Sequence, residues 1–284
     1  MKFRLYKEHG ALNSPEIFSA LENSIIQSGH KVVTENEDVA VIWSVLFQGR
    51  MTANEKIYND CRANRKPVLI IEVGNLLRGK TWRLGLNNIN ALGEFANSDN
   101  LDIDRPKKLG VFLKPYQERR RGEVLIAAQH ERSLQWRDMP TMKKWTEDYV
   151  EKIKAITSRR VVIRPHPRNP FSVKIPNTLL EQPKKLPNTY DDFDIFYNYH
   201  CVINHNSGPA VQALIQGIPV ICHSSSLAGE LSNKFEDLDN LKYFPREEWF
   251  LKLCHTEWTV NEISHGIPLK RLLPYLEKQL DLTY

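Results

Sequence analysis

The sequence contains three short stretches whose residue types suit chemistry on an anionic substrate. In residues 164–167, Arg-Pro-His-Pro, the two prolines end a strand-like apolar run and hold His166 on a stiff loop. In residues 205–208, His-Asn-Ser-Gly, a hydroxyl and a glycine precede Pro209, a residue that favours the first helical position. Glu72 closes a third apolar run. Imidazoles and helix amino termini bind phosphate, and carboxylates accept protons.

Each stretch also has a purely structural interpretation. Residues 164–167 would then form a rigid turn with a surface histidine, and residues 205–208 a plain helix cap, since Asn and Ser are common caps. Glu72 would pair with Arg78 or Arg83. Two phosphate-suited loops after successive strands favour binding of a nucleotide diphosphate more than either loop does alone.

Alternating strand-like and helix-like segments are expected to position these residues. Residues 2–8 alternate at the period of a strand. Continuous apolar runs predict further strands, of parallel sheets: residues 38–44, 67–74, 123–129, 160–165, 201–205 and 219–223. Apolar residues spaced by three and four predict helices: residues 14–29, 54–66, 141–156, 208–217, 245–266 and 268–280.

A polar, proline-bearing segment at residues 96–108 interrupts this alternation, which then restarts. The pattern predicts an α/β protein with two doubly wound, Rossmann-like domains that face a central cleft. The predicted domains are residues 1–105 and 106–245, followed by helices in residues 246–284 that pack back across the domain junction. Ligands of open α/β sheets bind beyond the carboxyl ends of the strands, where both phosphate-suited loops fall.

Composition limits the class of protein. The chain has 284 residues, 26% of them charged, and a formal net charge of +5. It contains neither an apolar run of 18 residues nor an apolar signal-peptide core, so we predict a cytoplasmic protein that does not enter a membrane. The four cysteines are widely spaced, which argues against a zinc site and a disulfide framework. Basic clusters at residues 105–108, 118–123 and 158–160 suit a polyanionic partner or a merely basic surface.

The two loops together resemble a known family. Arg-Pro-His-Pro, followed about forty residues later by NHNSGPAVQALIQGIPVI, resembles the histidine-proline and serine motifs of GT-B nucleotide-sugar glycosyltransferases, including capsule polysaccharide transferases and polysialyltransferases. The resemblance implies that His166, Ser207 and Gly208 contact the donor. Gln212 stands where such motifs often carry Glu, so a ribose contact there is in doubt. Residues 70–95, 122–136 and 246–266 resemble GT-B-like proteins of tailed phages.

Further site residues follow from the resemblance or from their types and positions in the sequence. An acidic residue of the amino-terminal domain acts as the base in those families, which implies this role for Glu72, with His166 as the second catalytic residue. Residues that follow Glu72 are candidate acceptor contacts: Arg78, Trp82, Asn87 and Asn88. Strand-end residues of the second domain are candidate donor contacts: Gln129, Arg132, Arg164, His166, His205, Asn206, Ser207 and Gly208. His130 stands among them, with a polar loop as the alternative.

No metal or other cofactor is predicted beyond the nucleotide sugar, which we expect to be a UDP-sugar. The acidic residues 190–194 suit the first turn of a helix better than a metal site. GT-B enzymes generally do not depend on a metal that an Asp-x-Asp motif holds.

These features predict a hexosyl- or pentosyltransferase that glycosylates a hydroxymethylated pyrimidine, 5-hydroxymethylcytosine, in double-stranded phage DNA in the host cytoplasm. Such an enzyme would have to flip the base out of the duplex. Three alternatives remain open: a glycosyltransferase of capsule or surface polysaccharide, a non-catalytic nucleic-acid-binding protein, and a nucleotide-sugar epimerase. The sequence leaves open the sugar, the donor nucleotide and the stereochemistry.

Overall fold

The computed structural model describes residues 1–116, 122–182 and 199–281, and the chain divides into two compact units. Unit 1 consists of Met1–Pro106 and Leu251–Tyr284, and unit 2 of Lys107–Phe250. Each unit has one sheet with helices, so the prediction of two α/β domains is confirmed. The segment that follows residue 250 belongs to unit 1.

The elements are short and alternate along much of the chain. The strands are β1 Lys2–Leu5, β2 Lys31–Val32, β3 Val39–Trp43, β4 Val68–Val73, β5 Trp82–Leu86, β6 Glu123–Ala127, β7 Val161–Arg164, β8 Thr178–Leu180, β9 Tyr199–Ile203, β10 Val220–Ile221 and β11 Glu257–Trp258. The helices are α1 Pro15–Gln27, α2 Ala53–Ala63, α3 Arg105–Leu109, α4 Met142–Ile156, α5 Gly208–Ile215, α6 Glu247–Cys254, α7 Val260–Ser264 and α8 Ile267–Asp281.

The sheet of unit 1 is mixed. Its strand order is β2-β1-β3-β4-β5-β11, with parallel pairing from β2 through β4 and antiparallel pairing of β5 with β4 and of β11 with β5. All residues of β3 and the first four of β4 are buried, as expected for strands covered on both faces.

One expectation for the carboxyl-terminal segment was wrong in part. The pattern of residues 245–266 predicted only helix, but β11 lies between α6 and α7 and completes the sheet. The strand is two residues long, too short to show an alternating pattern, and its first residue is the charged Glu257.

Arg105 attaches the carboxyl-terminal segment to the rest of unit 1. Its guanidinium donates to the carbonyl oxygens of Cys254 and Glu257 and forms an ion pair with Glu262 at 2.5 Å. The same group stacks over the Trp258 ring, 4.0 Å from its centroid. Arg105 is only 6% exposed, so a residue of the predicted polar linker is part of the structural core.

The sheet of unit 2 is wholly parallel, with the order β10-β9-β6-β7-β8. Helix α4 packs an apolar face on this sheet, and its amino terminus is capped by Thr141, whose side chain accepts from the Lys144 backbone N–H. Trp136 and Trp145 meet edge to face at 5.5 Å in the same core. The carboxyl ends of β10, β9, β6 and β7 therefore lie along one edge of the sheet.

Two charged clusters named above fall wholly or largely outside the described residues. Residues 190–194 lie in one gap, and most of the basic cluster 118–123 lies in the other. Among the helices that the structure does describe, none is long and apolar enough to cross a membrane.

Candidate active site

Four histidines stand along the carboxyl edge of the unit 2 sheet, each shortly after a different strand. We call them the histidine row, and in the order β10, β9, β6, β7 they are His223, His205, His130 and His166. The ring centroids of His223 and His205 lie 4.9 Å apart, and those of His130 and His166 lie 5.3 Å apart. This edge is where ligands of open α/β sheets bind.

The start of α5 lies at the same edge and is fixed by Asn204. The Asn204 Nδ2 donates to the Ala127 carbonyl at 2.7 Å and to Ser207 Oγ at 2.9 Å, while its Oδ1 accepts from the Ser207 backbone N–H at 2.8 Å. The Ser207 hydroxyl does not cap the helix, so its proton can serve a ligand. The first N–H groups of a helix lack helical acceptors, and together these donors suit an anion.

One detail of this helix start differs from the prediction. Pro209 is the second helical residue, because α5 begins at Gly208. The start of α5 can still bind an anion, because the Gly208 N–H is a donor in its first turn. Pro209 has no N–H, but an N–H in the first turn would have no acceptor within the helix either.

Two buried side-chain amides at this edge have one atom each without a partner. The Gln129 Oε1 accepts from the Asn206 backbone N–H at 3.1 Å, and Asn206 Nδ2 donates to Ser225 Oγ at 3.0 Å. The remaining atoms, Gln129 Nε2 and Asn206 Oδ1, are buried and make no hydrogen bond within the described ranges. A buried polar atom without a partner costs about 1–3 kcal/mol, so this turn suits a bound polar ligand.

Hydrogen bonds to Nδ1 select the tautomer of two histidines in the row. The Arg168 backbone N–H donates to His166 Nδ1 and the Arg132 backbone N–H donates to His130 Nδ1, each at 3.1 Å. A neutral imidazole whose Nδ1 accepts must carry its proton on Nε2. In its neutral form His166 therefore carries its proton on Nε2.

Burial keeps part of the histidine row neutral. Burial, followed by the neighbouring His223, lowers the pKa of His205 to about 4. Burial also lowers the pKa of His130, and the positive charge of Arg132 adds to the effect. These rings act at neutral pH as uncharged donors or acceptors. Among the residues that the structure describes, no group of three or more His, Cys, Asp or Glu could hold a metal ion.

The two arginines predicted as donor contacts lie in different settings. Arg164 is buried, and its guanidinium donates to Glu181 at 3.1 Å and to the Tyr199 hydroxyl at 3.3 Å. These bonds give Arg164 a structural role in joining β7 to β9 and to the residue after β8. Arg132 is exposed and follows His130 at the carboxyl edge.

In unit 1 the edge of the sheet at which β3 and β4 end carries what we call the polar row, which consists of Ser44, Glu72, Arg83 and Glu257. Glu72 on β4 lies opposite Arg83 on β5, and Arg83 lies opposite Glu257 on β11, so these three side chains share one face of the sheet. The Ser44 hydroxyl, just after β3, donates to Glu72 Oε2 at 2.6 Å. The pKa of Arg83 lies below its usual value because the group is buried, and the carboxylates of Glu257 and Glu72 offset only part of this effect.

Ser44 holds this bond from an uncommon backbone conformation. Its φ is 61°, in the left-handed region of backbone conformation that residues other than glycine rarely adopt. The Ser44 N–H donates to the Ile71 carbonyl at 2.7 Å, and Ser44 Oγ accepts from the Leu46 N–H at 3.0 Å. The turn therefore directs the hydroxyl at Glu72, which is half-buried at the end of β4.

Glu257 is fully buried and organises the loop after β4. Its carboxylate accepts from the backbone N–H groups of Asn75 at 2.5 Å and Leu76 at 2.9 Å, and from Thr81 Oγ1 at 2.9 Å. The carboxylate also explains Gly74, since a Cβ at that position would lie 2.3 Å from Glu257 Oε2.

Only some of the predicted acceptor contacts lie near Glu72. Trp82 is buried in the core of unit 1, and Arg78 lies half-buried in the loop between β4 and β5. Asn87 exchanges hydrogen bonds with Val68 at the other end of β4. Because β5 runs antiparallel to β4, Asn87 and Asn88 lie at the opposite edge of the sheet from Glu72, about 13 Å away along the strand.

Several residues that position or complete these edges were missed from the sequence: Ser44, Asn204, His223, Ser225 and Glu257. A signal existed for His223, since residues 202–205, VINH, and 220–223, VICH, place a histidine at the same distance after two strands. Glu257 had no such signal, because it contacts residues 176 to 182 positions away.

Comparisons with known proteins support the fold. No protein-family model matches the sequence, and a search of curated proteins found no match. Among solved structures, the chain is similar to "Thermosulfurimonas dismutans KpsC, beta Kdo 2,4 transferase", with a TM-score of 0.51, 13% identity, and coverage of 99% of this chain and 98% of that one. A second structure, "Thermosulfurimonas dismutans KpsC, beta Kdo 2,7 transferase", gives a TM-score of 0.43, 12% identity and coverage of 95% and 99%. The first similarity supports the two-unit GT-B type of fold.

Proposed function

We propose that this protein is a glycosyltransferase that uses a nucleotide-sugar donor and adds the sugar to a surface or capsule polysaccharide. The observation that carries the proposal is the start of α5, where the Ser207 hydroxyl and the first backbone N–H groups of the helix lie at the same edge as the histidine row. The fold similarity to a beta Kdo 2,4 transferase favours a carbohydrate acceptor over a hydroxymethylated DNA base.

In the proposed reaction, unit 2 binds the donor. The phosphate lies at the start of α5, where it accepts from Ser207 Oγ and the Gly208 N–H. His166 donates its Nε2–H to a phosphate oxygen as the bond to the sugar breaks and negative charge grows on the leaving group. Donors fixed before the reaction stabilise this charge without a reorganisation cost.

Unit 1 supplies the base in this proposal. Glu72 stands at the end of β4, where Ser44 orients its carboxylate. As the acceptor oxygen bonds to the anomeric carbon, Glu72 takes the proton of the acceptor hydroxyl. The nucleotide leaves with the electron pair of the broken bond.

Transfer can be tested with labelled nucleotide sugars, offering capsule oligosaccharides and hydroxymethylcytosine-containing DNA as separate acceptors. We expect a sugar mass gain on an oligosaccharide and none on DNA, and roughly ten- to a hundredfold weaker nucleotide binding in Ser207→Ala and His166→Ala. A sugar mass gain on hydroxymethylated DNA alone would instead identify DNA as the acceptor. A protein that binds none of the nucleotides or nucleotide sugars would contradict the glycosyltransferase proposal.

The role of Ser44 gives a prediction that separates backbone strain from hydrogen bonding. Ser44→Gly removes the hydroxyl but suits a φ of 61°, so we expect unchanged or slightly higher thermal stability with roughly ten- to a hundredfold slower transfer. Ser44→Ala should slow transfer equally and lower the stability, because alanine loses the hydrogen bonds of the hydroxyl without relieving the backbone strain. Turnover and KM are measured beside the melting temperature. Wild-type turnover in Ser44→Gly would reduce Ser44 to a turn residue.

A further inference from the structure

We propose that His223 is a further donor-binding residue, whose Nε2–H donates to an anionic oxygen of the bound nucleotide sugar. The inference rests on the proposed function and adds a residue that neither the resemblance nor the predicted site contained. His223 follows β10, the strand next to β9, and therefore lies beside the turn that begins α5.

The first support is the pairing of His223 with His205. Their rings lie 4.9 Å apart at an interplanar angle of 33°, and the His223 backbone N–H donates to the His205 carbonyl at 2.8 Å. Trp136 packs edge to face on the His205 ring, with the ring centroids 5.2 Å apart. His205 is therefore held between two aromatic groups, and His223 is the exposed member of the pair.

A chain of hydrogen bonds sets the tautomer of His223. The Asn206 Nδ2 donates to Ser225 Oγ at 3.0 Å, which leaves the Ser225 hydroxyl proton for His223 Nδ1 at 2.8 Å. The Ser225 backbone N–H also points to this nitrogen at 3.2 Å. Because Nδ1 accepts, the proton of the neutral ring sits on Nε2, the nitrogen that remains for a ligand.

An independent observation indicates that a ligand belongs at this turn. Among the described residues, nothing forms a hydrogen bond with the buried Oδ1 of the Asn206 side chain that orients Ser225, or with the Nε2 of Gln129, which accepts from the Asn206 N–H. Both residues are more than nine-tenths buried. The same few residues thus position the His223 ring and leave polar atoms unpaired beside the first turn of α5.

The chemistry of the ligand follows from these groups. A backbone N–H, the Ser207 hydroxyl and the Nε2–H of His223 are all donors, and together they suit a phosphate or diphosphate. The site therefore fits the phosphate end of the nucleotide sugar.

The test compares two replacements of His223, each of which keeps a different property of the imidazole ring. His223→Phe keeps the aromatic contact with His205 but has no donor, whereas His223→Gln loses the ring and retains an N–H donor near the Nε2 position. We expect about ten- to a hundredfold weaker binding of UDP, GDP or CMP, whichever the wild-type protein binds, in His223→Phe, and a smaller loss in His223→Gln. Calorimetry measures the affinities, and His265→Gln, an exposed histidine of unit 1, serves as the matched control.

The outcomes separate this inference from the function on which it rests. Wild-type affinity in His223→Phe, combined with a loss in Ser207→Ala, would overturn the role of His223 and leave the donor site standing. Wild-type affinity in His223→Phe with a loss only in His223→Gln would assign the ring to packing and also overturn the role. A wild-type protein that binds no nucleotide would remove both proposals.

Discussion

Replacing Glu72 by glutamine is expected to slow sugar transfer about a hundred- to ten-thousandfold, because a positioned general base contributes a factor of that size. Glutamine keeps the shape of the side chain and can still contact the Ser44 hydroxyl, but it cannot take a proton. Nucleotide affinity should remain within about twofold of wild type, since the proposed donor contacts all belong to unit 2. The measurements are turnover at saturating donor and calorimetric binding of the nucleotide.

Glu37 provides a matched control for this experiment. It is also a unit 1 carboxylate with little exposure, paired with Lys66 at 2.9 Å. It precedes β3, however, and therefore lies at the opposite edge of the sheet from Glu72. Glu37→Gln should leave turnover nearly unchanged in the folded protein. If Glu72→Gln also transferred sugar at near the wild-type rate, Glu72 would have only the structural role that its pairing with Ser44 allows.

The largest effect on stability is expected from Glu257→Ala. This change leaves the N–H groups of Asn75 and Leu76 and the Thr81 hydroxyl without their acceptor and removes a carboxylate beside the buried Arg83. Loss of one partner from a buried ionic group costs about 3–5 kcal/mol, a large part of a typical stability of about 5–15 kcal/mol. Urea unfolding followed by circular dichroism measures the change.

Two further variants keep this prediction testable if the alanine protein does not fold. Glu257→Gln retains one side-chain oxygen as an acceptor, so its loss should be smaller, about 1–3 kcal/mol. Glu277→Ala removes an exposed carboxylate of α8 and should stay within about 0.5 kcal/mol of wild type. Equal stability of the Glu257 and Glu277 variants would mean that the loop after β4 does not depend on the buried carboxylate.

Local patterns predicted the buried parallel strands and the longer helices well. The apolar runs around β3, β4, β6 and β7 and the amphipathic spacing of α1 and α4 are each confirmed. The reason is physical: a strand covered on both faces needs a continuous apolar run, and a helix on a sheet needs one apolar face. The short strand β11 was not predicted, because its pairing with β5 depends on residues far apart in the sequence.

The candidate site divides in the same way. The loops after β7 and β9 could be predicted from their prolines, Ser207 and Gly208. Both loops lie at the carboxyl edge of the unit 2 sheet. The grouping of Asn87 with Glu72 depended on the direction of β5, which a strand pattern does not encode, and the antiparallel pairing separates the two residues. His223 was visible only as a repeated spacing, whose meaning depends on β9 and β10 being neighbours.

The division of unit 1 into two stretches of chain has a consequence for synthesis on the ribosome. Unit 2 ends at Phe250, so all of its residues have been made before β11 and α8 leave the exit tunnel. Until then β5 has an unpaired edge and Arg83 lacks Glu257. We therefore expect unit 2 to fold first during translation although unit 1 begins the chain, an exception to the usual amino-to-carboxyl order of domain folding.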